Sequence, residues 1–324
     1  MSCVEPMEHI RNAVERAKGP LAADTFAQPD VQRPQFQPHA GATGAAPSWG
    51  NEVTLNSKRL ESKRIIAHDI VDPRSKSFDI LRTQVLQSMN IKPWQILGVT
   101  SPTADCGKTV IAINLAISIA RQPGRAVLLV DMDLQKPRVA NYLGLRCELG
   151  LMSVLERRAN LSSALTQARI RNEQFLVLPC EASTLSSSEW MVSRSMSTVL
   201  QDIRRDYSGW TVIVDLPPIL PSDDVISILP QIDSVLFVAA AGTSTVAEIK
   251  ACNKHLESTS VVRVVVNKAE DADARYYSYS PYGNHPASRM STNRTNDRHP
   301  YRSGRRRGSA SKWMMRMLDR LTRF

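Results

Sequence analysis

A strand that runs into a Gly-Lys-Thr turn and then a helix leaves a chain few folds to choose from. Residues Ile96 to Thr109 read ILGVTSPTADCGKT. The apolar start predicts a buried strand, Pro102 breaks it, and Cys106-Gly107-Lys108-Thr109 opens the apolar stretch Val110 to Ala120, of helical length. Strand, loop, Gly-Lys-Thr and helix are the layout of a phosphate-binding loop. Backbone N–H groups and the positive helix end face the phosphates. Lys108 is placed to reach the β- and γ-phosphates and the Thr109 hydroxyl to bind Mg²⁺. The pattern is a variant, because Pro102 stands where the strict motif has glycine. The nucleotide-binding set read here is Thr103, Ala104, Asp105, Cys106, Gly107, Lys108, Thr109 and Val110.

Two later strands end in carboxylates. Ala126 to Val130 is wholly apolar and stops at Asp131-Met132-Asp133, and Trp210 to Val214 stops at Asp215-Leu216-Pro217-Pro218. All-apolar strands suit a parallel sheet covered on both faces. The carboxyl ends of such strands are where α/β sheets place ligands. Mg-nucleotide chemistry needs carboxylates for the metal and for proton transfer. Asp131 and Asp133 are thus candidates for those tasks, and Asp215 sits where a Walker B carboxylate approaches the metal.

The rest of the chain fits this scheme. Lys63 to Val71 contains a strand-like piece, and Ser75 to Met89 has Phe78, Leu81, Val85 and Met89 on one helical face. Leu149 to Ala164 reads as short helices and Phe175 to Leu178 as a strand. Ser188 to Arg205 reads as one helix, with Trp190, Val192, Met196, Val199 and Ile203 inward. Asp223 and Asp224 start the next helix, where capping suits Asp223. Ser234 to Ala240 is a strand, Thr245 to Leu256 a helix and Val261 to Val266 a last strand before Asn267-Lys268. The expected class is α/β: a P-loop NTPase with a doubly wound, mainly parallel sheet, helices on both faces and flexible extensions at both ends.

Four regions are expected. Residues 1–50 hold a short amphipathic helix, Pro6 to Lys18, and a Pro-, Gln-, Ala- and Gly-rich linker; the helix docks on a partner or on its own domain. Residues 51–270 form the P-loop domain. Residues 271–310 carry a tyrosine cluster and a basic tail, and residues 311–324 a basic amphipathic helix. The net charge of +10 belongs to the tail: from Arg289 to Phe324 eleven Lys/Arg face Asp297 and Asp319, leaving about +1 for the remainder. Trp313, Met314, Met317, Leu318, Leu321 and Phe324 make one stripe of the last helix, which reads as an anchor on an anionic membrane surface or as a helix docking on a partner protein. Nucleic acid is the weaker option, because no reading module accompanies the basic tail. Five cysteines without paired or metal-like spacing suit a reducing compartment. No apolar run approaches the roughly 18 residues that span a bilayer. The expected location is cytoplasmic, peripheral at the inner face of the membrane.

TSPTADCGKT, LLVDMDLQKP and VIVDLPP occur in order, and together they resemble the bacterial tyrosine kinases of capsule and exopolysaccharide synthesis, relatives of the MinD/ParA ATPases. The tyrosine cluster adds to the resemblance: Tyr276, Tyr277, Tyr279 and Tyr282 belong to the five of seven tyrosines beyond residue 270. The resemblance implies ATP and Mg²⁺ as cofactors and autophosphorylation of that cluster. It implies that Lys108 contacts the phosphates, that Thr109 and Asp133 hold Mg²⁺, that Asp215 supports the metal through water, and that Asp131 accepts the tyrosine proton. It places Asn267 near the base. It also implies a transmembrane chain-length regulator as partner and assembly with further copies of the chain. Three departures stand out. Asp105 adds charge beside the phosphates, Gln135 replaces an arginine, and the ring-forming Glu-x-x-Arg-x-x-Arg helix aligns with Lys76, Asp79 and Arg82. The alternatives are a MinD/ParA-like switch ATPase without kinase activity, and a catalytically degraded scaffold of the export machinery. Thr103, where such ATPases carry an extra lysine, weighs against the former.

Overall fold

The computed structural model describes residues 51–257 and 259–269. The N-terminal helix and linker, the tyrosine cluster, the basic tail and the C-terminal helix lie outside the described residues.

Eight strands form one sheet: β1 (Glu52–Thr54), β2 (Ile96–Thr100), β3 (Val127–Asp131), β4 (Thr166–Ile170), β5 (Glu173–Leu178), β6 (Thr211–Asp215), β7 (Ser234–Ala240) and β8 (Ser260–Asn267). Their order is β1-β4-β5-β3-β6-β2-β7-β8. Every pairing is parallel except the β4–β5 hairpin. The helices are α1 (Ser57–Ser62), α2 (Ser75–Ile91), α3 (Lys108–Ala120), α4 (Val139–Leu143), α5 (Leu151–Leu155), α6 (Leu161–Ala164), α7 (Ser187–Met191), α8 (Arg194–Asp206), α9 (Asp224–Ile228) and α10 (Val246–Leu256).

Strand residues alternate between two buried cores, as a sheet covered on both faces requires. Leu128 and Val130 enter one core with α8 residues Val199 and Ile203; Val127 and Leu129 enter the other with α3. Gly98 permits close packing on the first side, since a Cβ there would lie 2.7 Å from Leu216 Cδ1. The α/β, mainly parallel, doubly wound expectation therefore holds.

Three local expectations need correction. Lys63 to Val71 contains no strand. The N–H groups of Ile66 and Ala67 donate instead to Asn114 Oδ1, at 2.8 and 2.9 Å, and Asn114 Nδ2 donates to the Arg64 and Val110 carbonyls. A fully bonded, buried amide on α3 thus takes the hydrogen bonds a strand would have used. Residues 188–205 are not one helix: α7 ends before Val192, and Ser193 caps α8 by accepting from the Met196 N–H. Val192, at this break, is exposed rather than inward. Asp223 precedes α9 but makes no side-chain cap; it accepts from Ser188 Oγ at 2.6 Å. Short elements unforeseen from the sequence are β1, α1, α4 and β4.

Of the α2 side chains at the ring-forming positions, Asp79 and Arg82 pack toward α3 and are partly buried, whereas Lys76 is exposed. Asp79 Oδ1 accepts from Arg82 at 3.0 Å, from Ser118 Oγ at 2.8 Å and from Arg121 at 3.2 Å, and Arg82 also donates to the Ser118 carbonyl. No helix among the described residues is long and apolar enough to cross a membrane.

Candidate nucleotide site

A cavity of about 460 Å³ opens at the carboxyl ends of the central strands. The loop after β2 forms its floor. Gly107 adopts φ +91°, a left-handed conformation suited to glycine, and an added Cβ would collide with the Asn267 side chain. Gly107 leads into α3, a 13-residue helix buried on nearly all sides. Its first turn faces the cavity through Lys108, Thr109, Val110 and Ile111.

β3 and β6 are neighbours, so Asp131 and Asp215 are register partners. Thr109 Oγ1 donates to Asp215 Oδ2 at 2.6 Å, and Lys108 Nζ donates to Asp133 Oδ2 at 2.7 Å and lies 3.8 Å from Asp215 Oδ1. One lysine therefore faces two carboxylates, with a third behind them. Asp131 is fully buried and does not line the cavity. Its Oδ2 accepts from the Arg138 and Val139 N–H groups, at 3.0 and 2.9 Å, and its Oδ1 lies 3.3 Å from the Asp133 N–H. Asp131 thereby shapes the turn that carries Asp133.

The electrostatics follow from burial. Removal from water pushes Asp131 well above the usual carboxylate range, and the charge of Asp215 adds to this. Burial likewise raises Asp215, against the pull of Lys108 and the Thr109 hydroxyl. Burial disfavours the Lys108 charge, yet Asp215 and Asp133 outweigh it and hold the ammonium above its ordinary value.

These residues fit a magnesium nucleotide. Asp215 Oδ1 is buried without a hydrogen-bond donor, although Lys108 stands 3.8 Å away. Hard oxygen ligands are what Mg²⁺ takes, usually one or two carboxylates with phosphates and water. Thr109, Asp133 and Asp215 are the protein groups that would hold it.

The loop is held from β8 as well. Asn267 Nδ2 donates to the Cys106 carbonyl at 2.9 Å, and Lys268 Nζ to the Asp105 carbonyl at 2.7 Å. Asp105 points outward; its carboxylate is mostly exposed and lies 3.6 Å from Arg138. Cys106 is buried against Ser244, with Sγ to Oγ at 3.5 Å. Thr103 touches the Cys106 sulfur from the other side, at 3.8 Å, and does not line the cavity, whereas Ala104 and Asn267 do. Gln135 donates to Ser187 Oγ and to buried Asp224, at 2.9 and 3.1 Å. The tyrosines Tyr276, Tyr277, Tyr279 and Tyr282 lie outside the described residues. Sequence reasoning missed Arg64, Tyr142 and Arg138, which also line the cavity. The signal for Arg64 was Asn114, a lone amide in an apolar helix.

The CobQ/CobB/MinD/ParA nucleotide binding domain matches residues 97–279. The putative tyrosine-protein kinase EpsB of Ralstonia nicotianae is 28% identical over 262 residues, covering 78% of this chain and 34% of that protein. The chain thus spans about a third of that relative's length. The tyrosine-protein kinase YwqD of Bacillus subtilis is 30% identical over 172 residues, 52% of this chain and 69% of that protein. The kinase domain of the Escherichia coli tyrosine kinase ETK superposes with a TM-score of 0.56 at 26% identity, over 68% of this chain and 84% of that domain. By its nucleotide-binding domain and by these relatives, the chain belongs to the CobQ/CobB/MinD/ParA family, in the branch of the bacterial tyrosine kinases.

Proposed function

We propose that this chain is a protein-tyrosine kinase of capsule or exopolysaccharide synthesis, with Mg²⁺ and ATP as cofactor and phosphoryl donor. The convergence of Lys108, Thr109 and Asp133 on one cavity, with buried Asp215 directly behind them against Thr109 and Lys108, is the observation that carries this reading. Thr109, Asp133 and Asp215 hold the metal, which when bound supplies charge neutralisation between the phosphates. Loop N–H groups and the α3 N-terminus bind the phosphates, and Lys108 exchanges its Asp133 contact for a phosphate contact.

The acceptor phenol oxygen bonds to the γ-phosphorus, the bond from that phosphorus to the ADP oxygen breaks, and the phenol proton passes to a carboxylate. Asp131, with its raised proton affinity, is the assigned acceptor. Asp131 lies behind Asp133, so the transfer requires the turn between them to admit the phenol or a water. The acceptors are Tyr276, Tyr277, Tyr279 and Tyr282. Asn267 borders the base. A transmembrane chain-length regulator, further copies of the chain and an anionic membrane surface are the proposed partners, at the cytoplasmic face.

The test is incubation of the purified chain with Mg-ATP, with and without the regulator, followed by phosphotyrosine mapping. Phosphate on the 276–282 cluster that disappears in Lys108→Ala supports the proposal. ATP hydrolysis without phosphotyrosine overturns it.

A further inference from the structure

Five non-glycine residues among those described have left-handed backbones, and three of them, Arg64, Asp105 and Lys268, line the nucleotide cavity. Each such conformation costs about 1–3 kcal/mol and persists where its surroundings over-determine it. Arg64 is held on both sides. Its N–H donates to the Glu61 carbonyl at 2.9 Å, and its own carbonyl accepts from buried Asn114 at 3.1 Å. Its guanidinium has no acceptor among the described residues, and neither has the Lys136 ammonium.

The rim carrying these groups is continuous. Lys63 lies 5.6 Å from the centroid of the Tyr142 ring on α4, and Arg138 stands at the start of that helix. Of the charged side chains lining the cavity, six are cationic, and only Asp105 and Asp133 oppose them. Lys108 answers Asp133 and Arg138 answers Asp105. Lys63, Arg64, Lys136 and Lys268 remain as an excess at the mouth.

The chain leaves β8 on this same rim, and residues 270–277 read EDADARYY. Three acids, Glu270, Asp271 and Asp273, stand a few residues before the first two tyrosines of the cluster, with Ala274 and Arg275 between. Seven residues lie between Lys268 and Tyr276, eight Cα steps with an extended reach of about 28 Å. We propose that the cationic rim, centred on Lys63 and Arg64, is a specificity subsite for Glu270, Asp271 and Asp273. Their capture seats Tyr276 or Tyr277 over the bound nucleotide. The kinase therefore selects tyrosines that follow an acidic run. This rests on the kinase reading above.

The test uses the full chain and two readouts. The first is anisotropy of a labelled peptide covering residues 269–283. It binds the wild-type chain, more weakly at high salt, and binds Lys63→Ser/Arg64→Ser about tenfold more weakly, the sum of a few exposed ion pairs. Equal binding of a peptide with Glu270→Gln, Asp271→Asn and Asp273→Asn overturns the subsite. The second is phosphotyrosine mapping with Mg-ATP. The same three tail changes lower phosphate on Tyr276 and Tyr277 about tenfold without changing the affinity for a fluorescent ATP analogue. Combining them with the Lys63/Arg64 changes lowers it no further, and exchanging the charges (Lys63→Glu/Arg64→Glu with Glu270→Lys/Asp271→Lys) restores it. Additive losses, or unaltered phosphorylation of the tail variant, overturn the inference. Absent phosphotyrosine in the wild type, with acid-dependent peptide binding intact, instead removes the kinase reading.

Discussion

Thr109 Oγ1 donates to Asp215 Oδ2 at 2.6 Å, while the other oxygen of that carboxylate has no hydrogen-bond donor. A half-satisfied buried carboxylate beside a hydroxyl is a site with capacity left for a cation. Asp215→Asn should lower Mg²⁺ affinity about 10- to 100-fold. Titration of Mg²⁺ against a fluorescent nucleotide measures this directly. Binding of the nucleotide without metal should change much less.

Lys108 has a structural task besides its proposed phosphate contact. It is the cation facing Asp133 and Asp215, and its removal leaves buried negative charge uncompensated. Lys108→Ala should destabilise the ligand-free chain by about 3 kcal/mol. Mg²⁺ alone should recover part of this loss. Denaturant unfolding with and without Mg²⁺ checks both effects.

Two aspartates predict opposite pH behaviour. Burial raises the folded-state pKa of Asp131, so its stabilising contribution is complete below the unfolded value and is lost as pH rises through the folded one. Asp131→Asn should therefore gain stability relative to wild type as pH rises above the unfolded value of about 4. For Asp233 burial acts upward, but Arg204 and the Gln95 and Ile96 N–H groups prevail and lower the pKa. Its contribution is present above the unfolded value and is lost as pH falls through the folded one. Asp233→Asn should cost most at neutral pH and little in acid. Thermal melts of both variants from acid to neutral pH decide the signs.

Asn114 ties residues 64–67 to α3 through three hydrogen bonds. Asn114→Leu keeps apolar volume but leaves two buried N–H groups without an acceptor, a loss of about 2–4 kcal/mol. Arg64 and Ile66 line the cavity, so the KM for ATP should rise together with this destabilisation. Unfolding and kinetics on the same preparation test the link.

The sheet was legible because largely apolar strands ending in Asp131 and Asp215 have few other uses. The phosphate loop was legible because Gly107-Lys108-Thr109 is a local pattern. Short elements were not. β4 and β5 form an antiparallel hairpin turning at Arg171, a left-handed residue no sequence rule would place there. The path of residues 63–71 depends on a side chain about fifty positions away, so local periodicity carries no trace of it. The outward turn of Asp105 was equally hidden, because it depends on backbone held by Lys268 and on charge supplied by Arg138.

Asp79 meets Arg82 on its own helix and Ser118 and Arg121 at the far end of the helix that begins with Lys108. A contact between copies that drew on this carboxylate would compete with three hydrogen bonds inside one subunit. Self-association through this face, were it to occur, would therefore be coupled to the setting of the phosphate-binding helix, and by reciprocity whatever tightened one would register in the other.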